Sequence, residues 1–311
     1  MFSIVIPIYK SEMNIPDLMV ALNDLVPKFE SAVEVIFVID GSPDQSEDLI
    51  RKELVKGKYP SSIITLSRNF GSFSAVKAGL EVAKGDGIGV IAADLQEPPE
   101  ILLEFNKKIK EEKVDVVFGK RVDRKDPLLS SVLSGFFWWF YRLFINSDVP
   151  EGGVDVFGIS RKVKESIMNL SESNSSLLGL LFWVGFKRDT VEYQRRERQK
   201  GKSAWTFSAK LKYLMDSIFS FTDLPIKLVM RLGIIAIITS FFLGCTILFS
   251  RITGKIQLPG YTPIVLILTT FTGFNALISA IIGNYVWRAF ENTKQRPNSI
   301  VQNVEVFDQV A

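Results

Sequence analysis

The chain has no histidine and one cysteine, Cys245. Without histidine, a Ser-His-Asp triad, an imidazole general base and a histidine-ligated zinc are all excluded, so acid–base and metal roles fall to carboxylates and other oxygens. A lone cysteine excludes a disulfide framework and a cysteine metal cluster. Large net charge is also missing: +3 gives no argument for nucleic acid. Met1 to Pro7 lacks a basic segment and its apolar stretch is cut short by proline, so it reads as a strand rather than a signal peptide. No repeat of fixed period and no low-complexity tract is visible.

What the chain does have is apolar sequence. Hydrophobic residues make up 47% of its 311 positions, enough for a large core with an excess left over. The excess lies in two uncharged runs, Leu232 to Ser250 and Thr262 to Trp287. A bilayer crossing takes ~20 apolar residues, so both runs are expected to be transmembrane helices. Lys210, Lys212, Lys227 and Arg231 precede the first run and Arg288, Lys294 and Arg296 follow the second, against Arg251 and Lys255 between them. That bias puts both termini and the bulk of the chain on the cytoplasmic side of an integral, two-span protein. Ser203 to Leu224 mixes Trp205, Phe207, Tyr213, Phe219 and Phe221 with lysines, the pattern of an interfacial helix.

The rest alternates strand and helix. Ser3 to Ile8, Val33 to Ile39, Ile63 to Leu66, Gly87 to Ala93 and Val114 to Gly119 are short β-rich runs. Helical patterns fall between them at Ile15 to Phe29, Gln45 to Val55, Phe73 to Ala83 and Glu97 to Glu111. This is βαβ repetition, hence an α/β fold with a mostly parallel sheet. The expected organisation is a catalytic α/β domain over 1–202, interfacial helices over 203–230, a two-helix transmembrane domain over 231–290 and a cytoplasmic tail over 291–311.

In such a sheet the strands' carboxyl ends share one edge, where open α/β folds bind ligands. Glu12 follows the first strand, Asp40 the second and Asp94 the fourth, so the three acids are expected to converge there. Asp40-Gly-Ser-Pro-Asp44 taken alone is a turn. Asp94-Leu-Gln96 taken alone is not a metal motif.

In order, Pro7-Ile-Tyr9, Asp40-Gly-Ser-Pro-Asp44, Ser67-Arg-Asn-Phe-Gly71, Ala93-Asp-Leu-Gln-Glu-Pro-Pro-Glu100, Gly119-Lys-Arg121, Arg195 to Ser203, the two apolar runs and Lys294-Gln-Arg-Pro297 run through almost the whole chain. Together they resemble the family-2 glycosyltransferases of the GT-A fold. Within these the chain looks most like the polyprenyl-phosphate branch, which includes bactoprenol glucosyltransferases and dolichyl-phosphate mannose synthases. The resemblance implies that Pro7, Tyr9, Glu12, Asp40, Gly71 and Asp94 bind the nucleotide. It implies that Asp94 and Gln96 hold Mg²⁺ or Mn²⁺ on the diphosphate, chemistry that suits a hard cation with oxygen ligands. Asp155 would act beside the acceptor with Asp94 as the second catalytic acid. Arg121, Ser130, Ser131, Ser134, Arg195, Arg198, Lys202 and Ser203 would bind the acceptor phosphate, the arginines through forked guanidinium contacts.

The implied reaction is an inverting transfer of a hexose, glucose favoured, from a nucleoside diphosphate sugar, UDP-glucose favoured, to a polyprenyl phosphate at the cytoplasmic membrane face. A homo-oligomer is compatible with the small and polar residues in the apolar runs. The chain departs from the family at two places. Ile39 and Ala92 stand where an additional acid commonly precedes Asp40 and Asp94. That departure motivates an alternative, a nucleotide-sugar-binding membrane protein without catalysis. A polysaccharide synthase is the other alternative, though the chain carries no Gln-x-x-Arg-Trp motif.

Overall fold

The computed structural model describes residues 1–56, 58–122, 135, 138, 139, 141–143, 147, 149, 150, 153–170, 172, 176–196, 200, 207–253 and 261–308. Its centre is an eight-stranded sheet in the order β7-β5-β6-β4-β1-β2-β3-β8. The strands are β1 (Phe2–Ile8), β2 (Val33–Ile39), β3 (Ser61–Leu66), β4 (Gly87–Val90), β5 (Val116–Val122), β6 (Phe157–Ser160), β7 (Arg188–Gln194) and β8 (Val301–Phe307). β1 pairs in parallel with β2 and β4, β2 with β3, and β5 with β7. β6 is antiparallel to both β4 and β5, and β8 is antiparallel to β3.

β1 shows why the centre of the sheet forms. Nearly every residue of Phe2–Ile8 is buried, as expected of a strand covered on both faces. Phe2, Ile4, Ile6 and Ile8 pack on one side with helices α1 (Ile15–Leu25), α2 (Ser46–Leu54) and α4 (Ile101–Lys110). Val5 faces the other side, with α3 (Ser72–Val82), α5 (Arg161–Met168) and α6 (Leu177–Trp183). The period of two thus sorts one strand between two layers.

Helix and strand limits follow the sequence pattern with two informative shifts. β4 stops at Val90, so Asp94 lies four residues beyond the strand in a loop where Leu95 has φ 53°. α4 begins at Ile101 rather than Glu97, because Pro98 and Pro99 turn the chain and their carbonyls accept from Ile101 and Leu102 N–H. The segment expected as a tail contains a further strand. Val301–Phe307 is a strand hydrogen-bonded along β3, and Glu305 pairs with Arg51 of α2 at 2.7 Å.

The expectation of two transmembrane helices, and with it that of an integral two-span protein, is overturned. Phe207–Phe221 (α7), Leu224–Ile252 (α8) and Tyr261–Thr293 (α9) are helices, and α8 and α9 are long. Yet among the described residues no helix is long and apolar enough to cross a membrane. Absence of charge is a weaker condition than sustained apolar character. α8 includes Thr239 and Thr246, and α9 includes Thr272, Asn275 and Asn284, polar side chains that a count of charges does not register. These side chains bond within their own helices: Thr239, Thr246 and Thr272 hydroxyls and the Asn275 amide donate to carbonyls one turn back. Asn284 accepts from Arg288 Nε at 3.0 Å, and Arg288 reaches Asp216 of α7 at 2.7 Å.

Candidate functional site

The sheet order brings the carboxyl ends of β1, β2, β3, β4, β5 and β7 to one edge, and the antiparallel β6 enters at that same edge. The segments that follow β1, β2, β3, β4, β5 and β7, and the one that leads into β6, therefore form one rim. Glu12, Asp40, Gly71, Asp94, Asp155 and Arg195 lie on it, beside Arg121 at the carboxyl end of β5.

One half of the rim is built on Asp40. This carboxylate is 2% exposed and accepts from Phe70 N–H at 2.7 Å and Gly71 N–H at 2.9 Å. Burial raises its pKa, and the two backbone donors oppose that rise. Gly41 next to it has φ +58°, and a Cβ there would come within 2.3 Å of the Arg68 carbonyl carbon. Only glycine lets the β2 turn approach the β3 loop this closely. The Arg68 guanidinium lies 4.1 Å from the Phe70 ring centroid, over the same loop.

Glu12 and Asp44 lock the β1 and β2 loops together. Glu12 N–H donates to Asp44 Oδ2 and Gln45 N–H donates to Glu12 Oε2, both at 3.1 Å. Lys10 N–H adds a bond to Ser42 Oγ at 2.7 Å. Burial would raise the Asp44 pKa, but bonds from Ser42, Ser46 and the Glu12 backbone hold it below the usual carboxylate range. Tyr9 is exposed at this rim, with Lys10 Nζ 5.3 Å from its ring centroid. Pro7 is a partly exposed residue of β1.

The other half of the rim carries charge. Asp155 Oδ2 receives Arg121 Nη2 at 2.8 Å and Tyr193 O–H at 3.2 Å, with Arg195 Nη1 at 3.5 Å. Burial and the nearby Asp155 raise the Tyr193 pKa, so the phenol stays protonated and acts as a donor. Arg195 Nη2 donates to Gln96 Oε1 at 2.8 Å, and Arg196 N–H donates to the Gln96 carbonyl at 2.8 Å. Arg195 Nε also lies 3.5 Å from Glu97 Oε1. Glu97 is 1% exposed, and burial with Asp155 and Asp94 nearby pushes its pKa up to about 8.

The expected residues therefore divide. Arg121, Asp155, Arg195 and Gln96 form one connected cluster, while Asp40 and Gly71 form another, and Glu12 braces two loops. Ser130, Ser131, Ser134, Arg198, Lys202 and Ser203 lie outside the described residues. Sequence reasoning missed Glu97, Tyr193 and the bracing role of Asp44. A signal existed for two of them: Glu97 directly follows Asp94-Leu-Gln96, and Tyr193 lies two residues before Arg195.

Asp94 Oδ1 accepts from Gln96 N–H at 3.3 Å. Among the described residues no group of three or more His, Cys, Asp or Glu is arranged to hold a metal ion. The oxygen donors of Asp94 and Gln96 nevertheless fit a Mg²⁺ or Mn²⁺ that takes its other ligands from a diphosphate and water, the usual way such cations bind beside phosphates.

The sequence profile of glycosyl transferase family 2 matches residues 3–160. The uncharacterized glycosyltransferase YkcC of Bacillus subtilis is 34% identical, over 97% of this chain and 93% of its own. A bactoprenol glucosyl transferase of Shigella phage SfV is 31% identical, over 97% and 98%. A prophage bactoprenol glucosyl transferase homolog of Escherichia coli is 29% identical, over 97% and 99%. Among solved structures, glucosyl-3-phosphoglycerate synthase of Mycobacterium tuberculosis, in complex with Mn²⁺, uridine diphosphate and phosphoglyceric acid, is similar at TM-score 0.49 and 15% identity, over 70% and 77%. On the family profile and the near full-length relatives, the chain belongs to glycosyl transferase family 2.

Proposed function

We propose that this glycosyltransferase moves a hexose, with UDP-glucose the favoured donor, onto the phosphate of a polyprenyl phosphate. The observation that carries this reading is the rim itself: a buried Asp40 loop at one end and the Arg121–Asp155–Arg195 cluster at the other. The first end suits a nucleoside and the second suits two phosphate-bearing groups. The full-length likeness to proteins named bactoprenol glucosyl transferase supports the acceptor class.

In this reading the nucleoside occupies the Asp40, Gly71 and Tyr9 end, with Pro7 and Glu12 shaping it. An acceptor phosphate oxygen forms the new bond to the anomeric carbon while the bond to the donor diphosphate breaks, with inversion. The acceptor is already anionic near neutral pH, so it needs placement and charge neutralisation more than deprotonation. Arg121 and Arg195 supply the positive charge. Asp155 orients both guanidiniums, and Tyr193 fixes Asp155. Asp94, helped by Gln96, would hold the divalent cation, which would supply charge stabilisation to the leaving diphosphate. Ser130, Ser131, Ser134, Arg198, Lys202 and Ser203 remain part of the proposed acceptor site, and residues 1–202 its catalytic unit.

The test incubates the purified full chain with radiolabelled UDP-glucose, other nucleotide sugars and undecaprenyl phosphate, with Mn²⁺ or with chelator. Label is expected in the organic phase with at least one donor. No lipid-linked product with any donor would sink the reading. UDP binding that survives this failure would favour a binding protein without catalysis, for which Ile39 and Ala92 are the motive.

A further inference from the structure

Glu97 is a carboxyl that the transfer chemistry above does not use, yet it is 1% exposed in a loop that is otherwise a working surface. Its Oε2 is buried and accepts no hydrogen bond among the described residues. Burying a carboxyl with an unsatisfied oxygen costs several kcal/mol unless something is gained nearby. Its other oxygen, Oε1, lies 3.5 Å from Arg195 Nε. Arg195 comes from the segment after β7, an edge strand three places from β4 in the sheet. The guanidinium has three polar neighbours: Glu97 Oε1 at 3.5 Å, Gln96 Oε1 at 2.8 Å and Asp155 Oδ2 at 3.5 Å.

Two of these three partners have other duties. Asp155 also receives Arg121 and Tyr193, and Gln96 sits beside Asp94 with its backbone tied to Arg196. Glu97 is almost fully buried, so it is suited to hold Arg195 before, during and after substrate binding. A flexible arginine held in this way loses less freedom when it meets a phosphate.

We propose that Glu97 is a positioning residue: its buried carboxyl holds the Arg195 guanidinium between Gln96 and Asp155, and so fixes the phosphate-binding face of the site. The inference rests on the phosphate-binding role given to Arg195 above, and it concerns anion binding rather than sugar transfer. Glu97 is not required to touch substrate. Its effect passes entirely through Arg195, and that dependence can be measured.

The probe is inorganic pyrophosphate, titrated calorimetrically into the full chain. Glu97→Leu is expected to weaken pyrophosphate binding at least fivefold, and Glu97→Gln, which keeps the shape and an acceptor oxygen, to recover most of the affinity. In an Arg195→Ala background, Glu97→Leu should change the affinity by less than twofold. Should Glu97→Leu not fold, Glu97→Ala, which only removes atoms, takes its place. Equal losses in both backgrounds overturn the inference, as does wild-type affinity in Glu97→Leu or no pyrophosphate binding by the unaltered chain. Sugar transfer is assayed on the same samples. Coupled pyrophosphate binding without a lipid-linked product would refute the transfer reading while leaving the Glu97–Arg195 relationship intact.

Discussion

Arg195 donates from Nη2 to Gln96 Oε1 at 2.8 Å, so the amide expected to bind a cation is held by the segment expected to bind phosphate. A cation that uses Gln96 has to share or displace that bond, whereas Asp94 offers a full negative charge. The two residues should therefore differ in their effect on metal dependence. Asp94→Asn is expected to abolish stimulation by Mn²⁺ and to lower transfer by about a hundredfold, equivalent to ~3 kcal/mol. Gln96→Ala should cost about tenfold and leave stimulation in place, at ~1.4 kcal/mol. Rates measured against Mn²⁺ concentration check both, and equal effects would contradict the ordering.

The Asp40 carboxylate joins β2 to the loop after β3 through two backbone donors. Asp40→Asn keeps the size but turns an NH₂ group toward one N–H, which leaves that donor unpaired. A buried unsatisfied group costs about 1–3 kcal/mol, so UDP affinity should fall by roughly tenfold or more. Equilibrium UDP binding is the measurement. An unchanged affinity would mean that this loop does not shape the nucleoside end.

Much of this architecture was legible in the sequence. The βαβ alternation gave the central strands within a few residues, because β1 and β2 are buried on both faces and their apolar runs are nearly continuous. The acids at strand ends then had to share an edge. What stayed hidden depends on contacts distant in sequence. β7 reads as a polar run, half exposed, and β8 pairs with β3 across more than two hundred residues of chain. Glu97 reads as the first residue of a helical pattern, since nothing local to it shows that Arg195 will lie against it.

Gly41 offers a test of how closely the two nucleoside-end loops must approach. Alanine there meets the Arg68 carbonyl carbon at 2.3 Å and the Asn69 nitrogen at 2.4 Å, at a positive φ of 58°. Neither contact is with a flexible side chain, so the loops have to part. Gly41→Ala is expected to destabilise the fold by about 2 kcal/mol or more. It should also weaken UDP binding, since separation of the loops breaks the Asp40 bonds. Denaturant unfolding and UDP titration together check this, and loss of neither would show that the loops already have slack.

The β8 strand is fastened at a second point by charge. Arg51 donates from Nε and Nη2 to both Glu305 oxygens, at 2.9 and 2.7 Å. Bonding to Arg51, more than the opposing effect of burial, lowers the Glu305 pKa from its ordinary value of 4.5. A carboxyl whose pKa is depressed in the folded state binds protons less readily there than when β8 is released. Its contribution to the strand is therefore complete above pH 4.5 and is lost as pH falls through the lower folded value. Hydrogen exchange of β8 amides, corrected for intrinsic rates, should show constant protection from pH 7 down to about 5 and faster opening in more acid solution. Glu305→Gln should open β8 more often at neutral pH and flatten the acid response that belongs to this pair. Protection in Glu305→Gln that keeps the full wild-type pH dependence would assign that response to another group.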